Sequence, residues 1–424
     1  MDDDEHRFRQ LHLDGDEVLC EQRRRSVVDH NDRQPRAAVV PVHAHTSASA
    51  TREDGRLAVV YGDRREGEAV KVLFDGYWWV DGPAANRTVQ REMITAWRAV
   101  HPEDELVVAI RRKHTDTAPA DLPDGVSVVE TRLWPQAISN AIELPRLARR
   151  IDADVTVAHN YAPLRRRNLT FIHDVMFQEH PEWFSRAERL YFSLMPVLAR
   201  RATQLATSTT TEADRMRRLN PRLGDAAAVG LSVGNDLDSL EQHRPSGAEG
   251  LDAFAVTVGR LNIRKNLTAS IEGAAFAESI TPERPLLVVG GTLHSGVETA
   301  LTAAATAAVE RGEARFLGHV TDAELAWLYA HASLVTNLSL DEGFGLPPIE
   351  AARFGAPLLV SDIPVFRETV GTVAHFVNPL ATPADLGIAI DDAWERPGDP
   401  HAYRDLEDRY SWPNVARSLR NLLA

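Results

Sequence analysis

The stretch Asp341-Glu342-Gly343-Phe344-Gly345-Leu346-Pro347-Pro348-Ile349-Glu350 decides how this chain is read. An apolar run at 333–337 precedes it and a helical pattern at 346–354 follows, so it reads as the turn from a buried strand into a helix. Gly343 and Gly345 let the backbone approach a ligand closely, and prolines are tolerated in a helix's first turn. Free N–H groups and the positive helix end then face whatever lies beyond the strand, which suits a diphosphate. Glu350 lies about one turn in and can accept two hydrogen bonds from a vicinal diol such as ribose. A glutamate at a helix start also offsets the helix dipole without any ligand. For Glu342 alone that reading competes evenly; the ten residues together favour a ligand site.

Outward from this turn the chain alternates between short Val/Ile/Leu-rich runs and amphipathic stretches. Strands are expected at 253–258, 286–289, 314–317, 333–337, 357–360 and 374–377, with helices at 266–278, 297–311, 322–331, 346–354 and 383–395. An earlier series has strands at 70–74, 105–110, 126–129, 154–158, 169–172 and 203–207, and helices at 88–99, 139–151, 186–201 and 211–219. Alternation of this kind implies parallel sheets covered on both faces, hence an α/β protein of two tandem doubly wound, Rossmann-like units with a cleft between them. The expected boundaries are a flexible extension at 1–68, a first domain at 69–235, a polar linker at 236–252, and a second domain at 253–405. Residues 406–424 form a C-terminal helical segment that could return to the first domain.

Composition narrows the function classes. The chain has 424 residues and a net charge of -14, which argues against a general nucleic-acid binder. Its one cysteine, Cys20, supports neither a disulfide framework nor a thiolate metal cluster. No apolar run near membrane-spanning length and no leader pattern is found, so the expected compartment is the cytoplasm, with peripheral contact at a membrane left open. Only Lys71, Lys113 and Lys265 are lysines among 47 basic side chains, which makes each lysine more informative.

Two further stretches carry chemistry. Val258-Gly259-Arg260-Leu261-Asn262-Ile263-Arg264-Lys265-Asn266 follows the first strand of the second series, where Arg260 and Lys265 can clamp phosphate oxygens and stabilise a departing diphosphate. A solvated basic loop is the plain alternative. Phe171-Ile172-His173-Asp174 ends a strand of the first series, so His173 can hydrogen-bond a sugar hydroxyl at the cleft. A structural His-Asp pair is about as common.

Together these three stretches resemble the family-4 retaining glycosyltransferases of the GT-B fold over about residues 70–420, most strongly from 253 to 379. The resemblance implies that Glu342 and Glu350 are the family's paired glutamates, Glu350 on the nucleotide ribose and Glu342 beside the donor sugar. It implies that Arg260 and Lys265 hold the diphosphate, and that Gly343, Phe344, Gly345 and Leu346 contact the sugar or phosphate. The turn His319-Val320-Thr321 corresponds to the nucleobase cradle, with Val320 against the donor. The segment from His173-Asp174 to His180-Pro181-Glu182-Trp183-Phe184-Ser185 looks like the bacterial mannosyl- and rhamnosyltransferase subgroup. The loop Asp75-Gly76-Tyr77-Trp78-Trp79-Val80-Asp81-Gly82-Pro83 departs from the family's compact glycine pair, and Gly82 is the residue that could face donor and acceptor there. Its aromatic trio could stack on sugar rings or wedge the loop onto the core.

The resemblance therefore implies a retaining transfer of a hexose, GDP-mannose favoured as donor, to a glycan or lipid-linked glycan, with no nucleic-acid partner. Metal-dependent transferases use Asp-x-Asp; Asp152-Ala153-Asp154 and Asp236-Leu237-Asp238 match only in letters, so no cofactor and no metal site are expected. A Rossmann oxidoreductase would need Gly-x-Gly-x-x-Gly after a strand, and neither Asp75-Gly76 nor Gly290-Gly291 with Gly296 supplies it. A sugar-nucleotide epimerase of the same fold and a non-catalytic sugar-nucleotide-binding protein remain alternatives.

Overall fold

A computed structural model describes residues 68–423 apart from 116–121, 165–166, 235–236, 238, 291–299, 397, 400 and 402. The N-terminal extension and the Asp236/Asp238 pair lie outside the described residues.

Two all-parallel sheets form. The first has seven strands: β1 Lys71–Asp75, β2 Glu105–Arg111, β3 Ser127–Thr131, β4 Val155–His159, β5 Asn168–Phe171, β6 Gln204–Thr207 and β7 Ala226–Ala228, in the order β3-β2-β1-β4-β5-β6-β7. The second has six: β8 Ala255–Val258, β9 Leu286–Val289, β10 Ala314–Gly318, β11 Leu334–Asn337, β12 Leu358–Ser361 and β13 His375–Val377, in the order β10-β9-β8-β11-β12-β13. Each sheet reverses its winding once, between β1 and β4 and between β8 and β11. Loops leaving the carboxyl ends of those strands are therefore splayed apart and free to hold ligands. The buried β4, β9, β11 and β12 are hydrophobic or small at nearly every position because helices cover both faces.

The departures from expectation have local causes. The stretch expected as one helix at 186–201 is two, Arg186–Phe192 and Leu194–Ala199, because Pro196 has no N–H to bond the Phe192 carbonyl. The helix expected at 139–151 begins earlier, at Gln136–Ile138, and widens into a π-turn at Ser139–Glu143 before Leu144–Arg150. Pro145 again removes the i−4 bond, and the freed Ala141 carbonyl accepts from Leu164 N at 3.2 Å instead. Strand β7 consists of three alanines and lacks the bulky apolar signature of a strand. The helix Tyr403–Arg409 is too highly charged to stand out in the sequence.

The last helix, Trp412–Asn421, packs on helix Ala84–Val100 of the first unit. Trp412 is fully buried and donates its indole N–H to the Val233 carbonyl at 2.8 Å, where the chain leaves the first unit. At the helix's far end Arg420 Nε meets buried Asp104 at 2.9 Å, and Asp104 also accepts from Val70 N and Trp97 Nε1, each at 2.9 Å. Replacing Asp104 with Ala strands a nearly buried guanidinium and two buried donors. The expected loss is about 3–5 kcal/mol in chemical denaturation, and a loss below about 1 kcal/mol would show that Arg420 escapes to water.

Candidate functional site

The loops after β8 and β11 are stitched together before any ligand is considered. Asn266 takes a left-handed conformation (φ 50°), from which its Nδ2 donates to the Leu338 and Pro379 carbonyls at 3.1 and 3.0 Å. Leu340 N donates to the Arg264 carbonyl at 2.8 Å, and Asn262 Oδ1 accepts from Lys265 N at 2.9 Å. Lys265 and Arg264 are thereby turned onto one carboxylate. Glu342 Oε1 accepts from Lys265 Nζ at 2.5 Å and Ser339 Oγ at 2.8 Å, while Oε2 accepts from Arg264 Nη1 at 2.5 Å. Burial alone would raise the Glu342 pKa, but Arg264 and Lys265 outweigh it and hold the group near 2. Burial pulls the Lys265 pKa down; for Arg264 the facing Glu342, Asp174 and Asp341 overcome the same penalty and raise it.

Arg260, half-buried beside this cluster, forms no ion pair among the described residues, and burial followed by repulsion from Arg264 lowers its pKa. It is a cation in want of an anion. Gly345 (φ 86°) ends the turn and begins the helix Leu346–Arg353; a Cβ there would sit 2.4 Å from the Phe366 ring. Phe344 is buried edge-on against Tyr410, an anchor for the turn with its side chain turned away from ligand space. Pro347 and Pro348 carry no N–H, so the backbone donors at this end come from the turn and Leu346.

One turn further on, Glu350 accepts from Tyr329 OH at 3.0 Å. Burial raises its pKa to about 7, helped by Asp322 and opposed by Tyr329 and Lys265. Val320 is buried in the turn after β10, where Thr321 and Glu324 form a reciprocal cap on helix Asp322–His331, the helix that carries Tyr329. The turn after β10 and Glu350 are thus tied through a single helix.

The first unit meets this turn directly. A Cβ on Gly343 would lie 3.1 Å from the His173 carbonyl and 3.4 Å from Asp174 Cβ, a tight fit that a side chain could enter only if the two strand ends moved apart by a few tenths of an ångström. Ser208 Oγ and Thr209 Oγ1 both donate to the Gly343 carbonyl at 3.1 Å. His173 stacks on His159 (ring centroids 5.5 Å apart), and its Nε2 is enclosed without a hydrogen-bond partner among the described residues. Burial lowers its pKa to about 3, so the ring is neutral at physiological pH, a hydrogen-bonding group and not a charge.

The structure brings His173, Arg260, Lys265, Glu342, Gly343 and Gly345 together around one turn, with Glu350 on the helix behind. It gives Gly82 a different reason to be glycine. At φ 121° a Cβ would overlap the Trp78 ring, so packing on that ring explains the residue. Tyr77 and Trp79 are buried and wedge the loop onto the core; Trp78 is half-buried and donates to Gln136 at 3.0 Å. Asp154, from the first Asp-x-Asp, accepts from Lys71 N at 2.8 Å and fastens β1, while Asp152 is exposed. Glu179, His180 and Asp341 bring potential ligand atoms within 4.8 Å of one another, but both acids are paired to Arg215.

Several residues were not legible from the motifs. Arg264 lies in the basic loop after β8, and its pairing with Glu342 depends on a fold contact across 78 positions. Arg215, Ser208, Thr209 and Tyr329 carried no sequence signal for their roles.

Residues 238–405 match the family described as glycosyl transferases group 1. That match covers 168 of the 424 residues. A wider stretch is 28% identical over 275 residues to the serotype-specific mannosyltransferase WbdA of Escherichia coli, covering 62% of this chain and 32% of that protein. It is 26% identical over 272 residues to the O-antigen chain mannosyltransferase RfbU of Salmonella typhimurium, covering 64% and 73% respectively. The match thus spans about a third of WbdA and nearly three quarters of RfbU. Among solved structures, sucrose-phosphate synthase from Thermosynechococcus elongatus aligns with a TM-score of 0.60 at 15% identity, over 84% of this chain and 98% of that one. Anabaena Alr3699/HepE in complex with UDP and glucose gives 0.60 at 17% identity, over 84% and 99%. The two-sheet architecture is the GT-B fold.

Glu350 generates a pH test in the ligand-free protein. Its folded pKa, near 7, lies above the ordinary 4.5. Its contribution to stability is complete below the ordinary value and lost as pH rises through about 7. Glu350→Gln should therefore melt above the wild type at pH 8, with the gap narrowing as pH falls and closing only below about pH 4.5. A gap independent of pH would show that Glu350 titrates normally.

Proposed function

We propose that this protein is a retaining, metal-independent hexosyltransferase that moves a sugar from a nucleoside diphosphate to a glycan or lipid-linked glycan. The observation that carries the proposal is the junction at Gly343. There the donor-side turn, with its carboxylate and cations, lies against the strand end bearing His173. The group 1 match and the likeness to mannosyltransferases support the reaction class and favour GDP-mannose as donor.

In this reading Arg260 and Lys265 take the diphosphate and Glu350 the ribose diol, with Val320 by the base. Amides of Gly343, Phe344, Gly345 and Leu346 meet the sugar or phosphate. The acceptor hydroxyl attacks the anomeric carbon on the face the leaving group departs from. As the new C–O bond forms, the bond to the diphosphate oxygen breaks, and that oxygen takes the acceptor's proton. Negative charge on the leaving group is offset by the two cations, which supply what a metal ion would otherwise supply. Neutral His173 offers Nε2 to a sugar hydroxyl, and ionised Glu342 faces the developing positive charge while holding the cations in place. No helix among the described residues is long and apolar enough to cross a membrane, so a lipid-linked acceptor would be met at the membrane surface.

Incubation with isotope-labelled GDP-mannose and an acceptor panel, read by NMR, is expected to give product with the donor's anomeric configuration in the presence of EDTA. An inverted anomer, or activity abolished by EDTA and restored by magnesium or manganese, would overturn the mechanism. Epimerised nucleotide sugar would favour the epimerase instead. Glu350→Ala should weaken donor binding by about 1.5–3 kcal/mol, the worth of charge-assisted hydrogen bonds; unchanged affinity in calorimetry would mean the ribose lies elsewhere.

A further inference from the structure

Arg215 belongs to the first unit, on helix Thr210–Leu219, yet its guanidinium serves carboxylates of both units. Nε donates to Glu179 at 2.6 Å, Nη1 to Glu212, and Nη2 to Asp341, the residue before Glu342. Two of these partners also hold backbone beside the turn. Glu212 Oε1 accepts from Val175 N at 2.7 Å, fixing the chain just after His173-Asp174. Asp341 Oδ1 accepts the Glu342 N–H at 2.8 Å, fixing the start of the glycine turn. Arg215 is itself buried, so this fork is not exchanged for water without cost.

The same helix grips the second unit at its N-terminus. Thr210 N and Thr211 N donate to the Glu368 carboxylate at 2.7 and 2.9 Å, joined by Thr211 Oγ1 at 2.7 Å. The Gly343 carbonyl takes Ser208 and Thr209 just before the helix. Mere closure of the units would need only the outer contacts to Glu368. The inner set is aimed at the segment from Asp341 to Gly343, on both sides of Glu342.

We propose that Arg215 is a positioning residue which, through Asp341 and Glu212, sets the Glu342–Gly345 turn and the His173 strand end in register across the cleft. The proposal rests on the transfer reaction proposed above. The donor's own ligands, Arg260, Lys265 and Glu350, are built on the second unit and do not need Arg215. Its loss should therefore fall on turnover and spare donor affinity.

The test compares Arg215→Ala, Arg215→Lys, Asp341→Asn and the double variant Arg215→Ala/Asp341→Asn, each well below its melting temperature. Expected is a fall in kcat of about 100-fold for Arg215→Ala, the scale of an ångström-sized misplacement, with donor KM close to wild type. Arg215→Lys should recover part of it, since one ammonium cannot serve three carboxylates in a fork. The double variant should be no slower than Arg215→Ala. Asp341→Asn keeps an oxygen for the Glu342 N–H and reads the contact should Arg215→Ala fail to fold. Amide hydrogen exchange at Glu342–Gly345 should quicken in every variant. Unchanged exchange and kcat, additive single effects, or kcat and donor binding falling together in proportion to lost folded protein would each overturn the proposal. Wild-type protein that transfers no sugar would sink the transfer reading, while the exchange measurement would still decide the role of Arg215.

Discussion

One buried carboxylate organises the site. Glu342 is removed from water and stays ionised because Lys265, Arg264 and Ser339 surround it. An isolated charge at that depth would be untenable. The pairing dictates that the loop after β8 fold over the turn after β11, and it directs two cations toward the space in front of the helix Leu346–Arg353. Arg260 stands beside this cluster with no ion pair of its own among the described residues, its pKa lowered by burial and by Arg264.

A second constraint is steric. Gly343 fits tightly against the His173 carbonyl, and Gly345, in a left-handed conformation, lies too close to the Phe366 ring for a side chain unless the ring shifts. Glycine at these places reflects crowding as much as ligand access. A dense turn with little room to shift is one in which backbone amides keep their aim.

Both series of strands were legible because buried parallel strands are written as continuous apolar runs, and almost every expected run is a strand within a residue or two. What escaped was written in weaker signals: the alanines of β7, the charged helix Tyr403–Arg409, and the prolines at 145 and 196 that break or widen helices. The segment from Glu342 to Glu350 announced a ligand site through its glycines, prolines and paired acids. It could not announce the partners of those acids. Arg264 and Tyr329 reach them from 78 and 21 positions away in the chain, Arg215 reaches the neighbouring Asp341 from 126 positions away, and only the winding of the sheets brings them near. The Tyr77-Trp78-Trp79 run had two readings of equal weight, and burial of Tyr77 and Trp79 turns them into core.

The return of helix Trp412–Asn421 to the first unit has an evolutionary consequence. The segment matching the group 1 family ends at residue 405, before this helix, and the helix belongs by packing to the other half. The half that carries the Glu342 turn is therefore an insertion within the other half. A recombination event that exchanged it for a relative's would need two crossovers, one on either side. A single crossover near residue 238 would import a foreign last helix, which would have to rebuild the Trp412 and Arg420 contacts on an unfamiliar surface. Substitutions within the inserted half leave those two contacts in place, whereas a simple fusion does not.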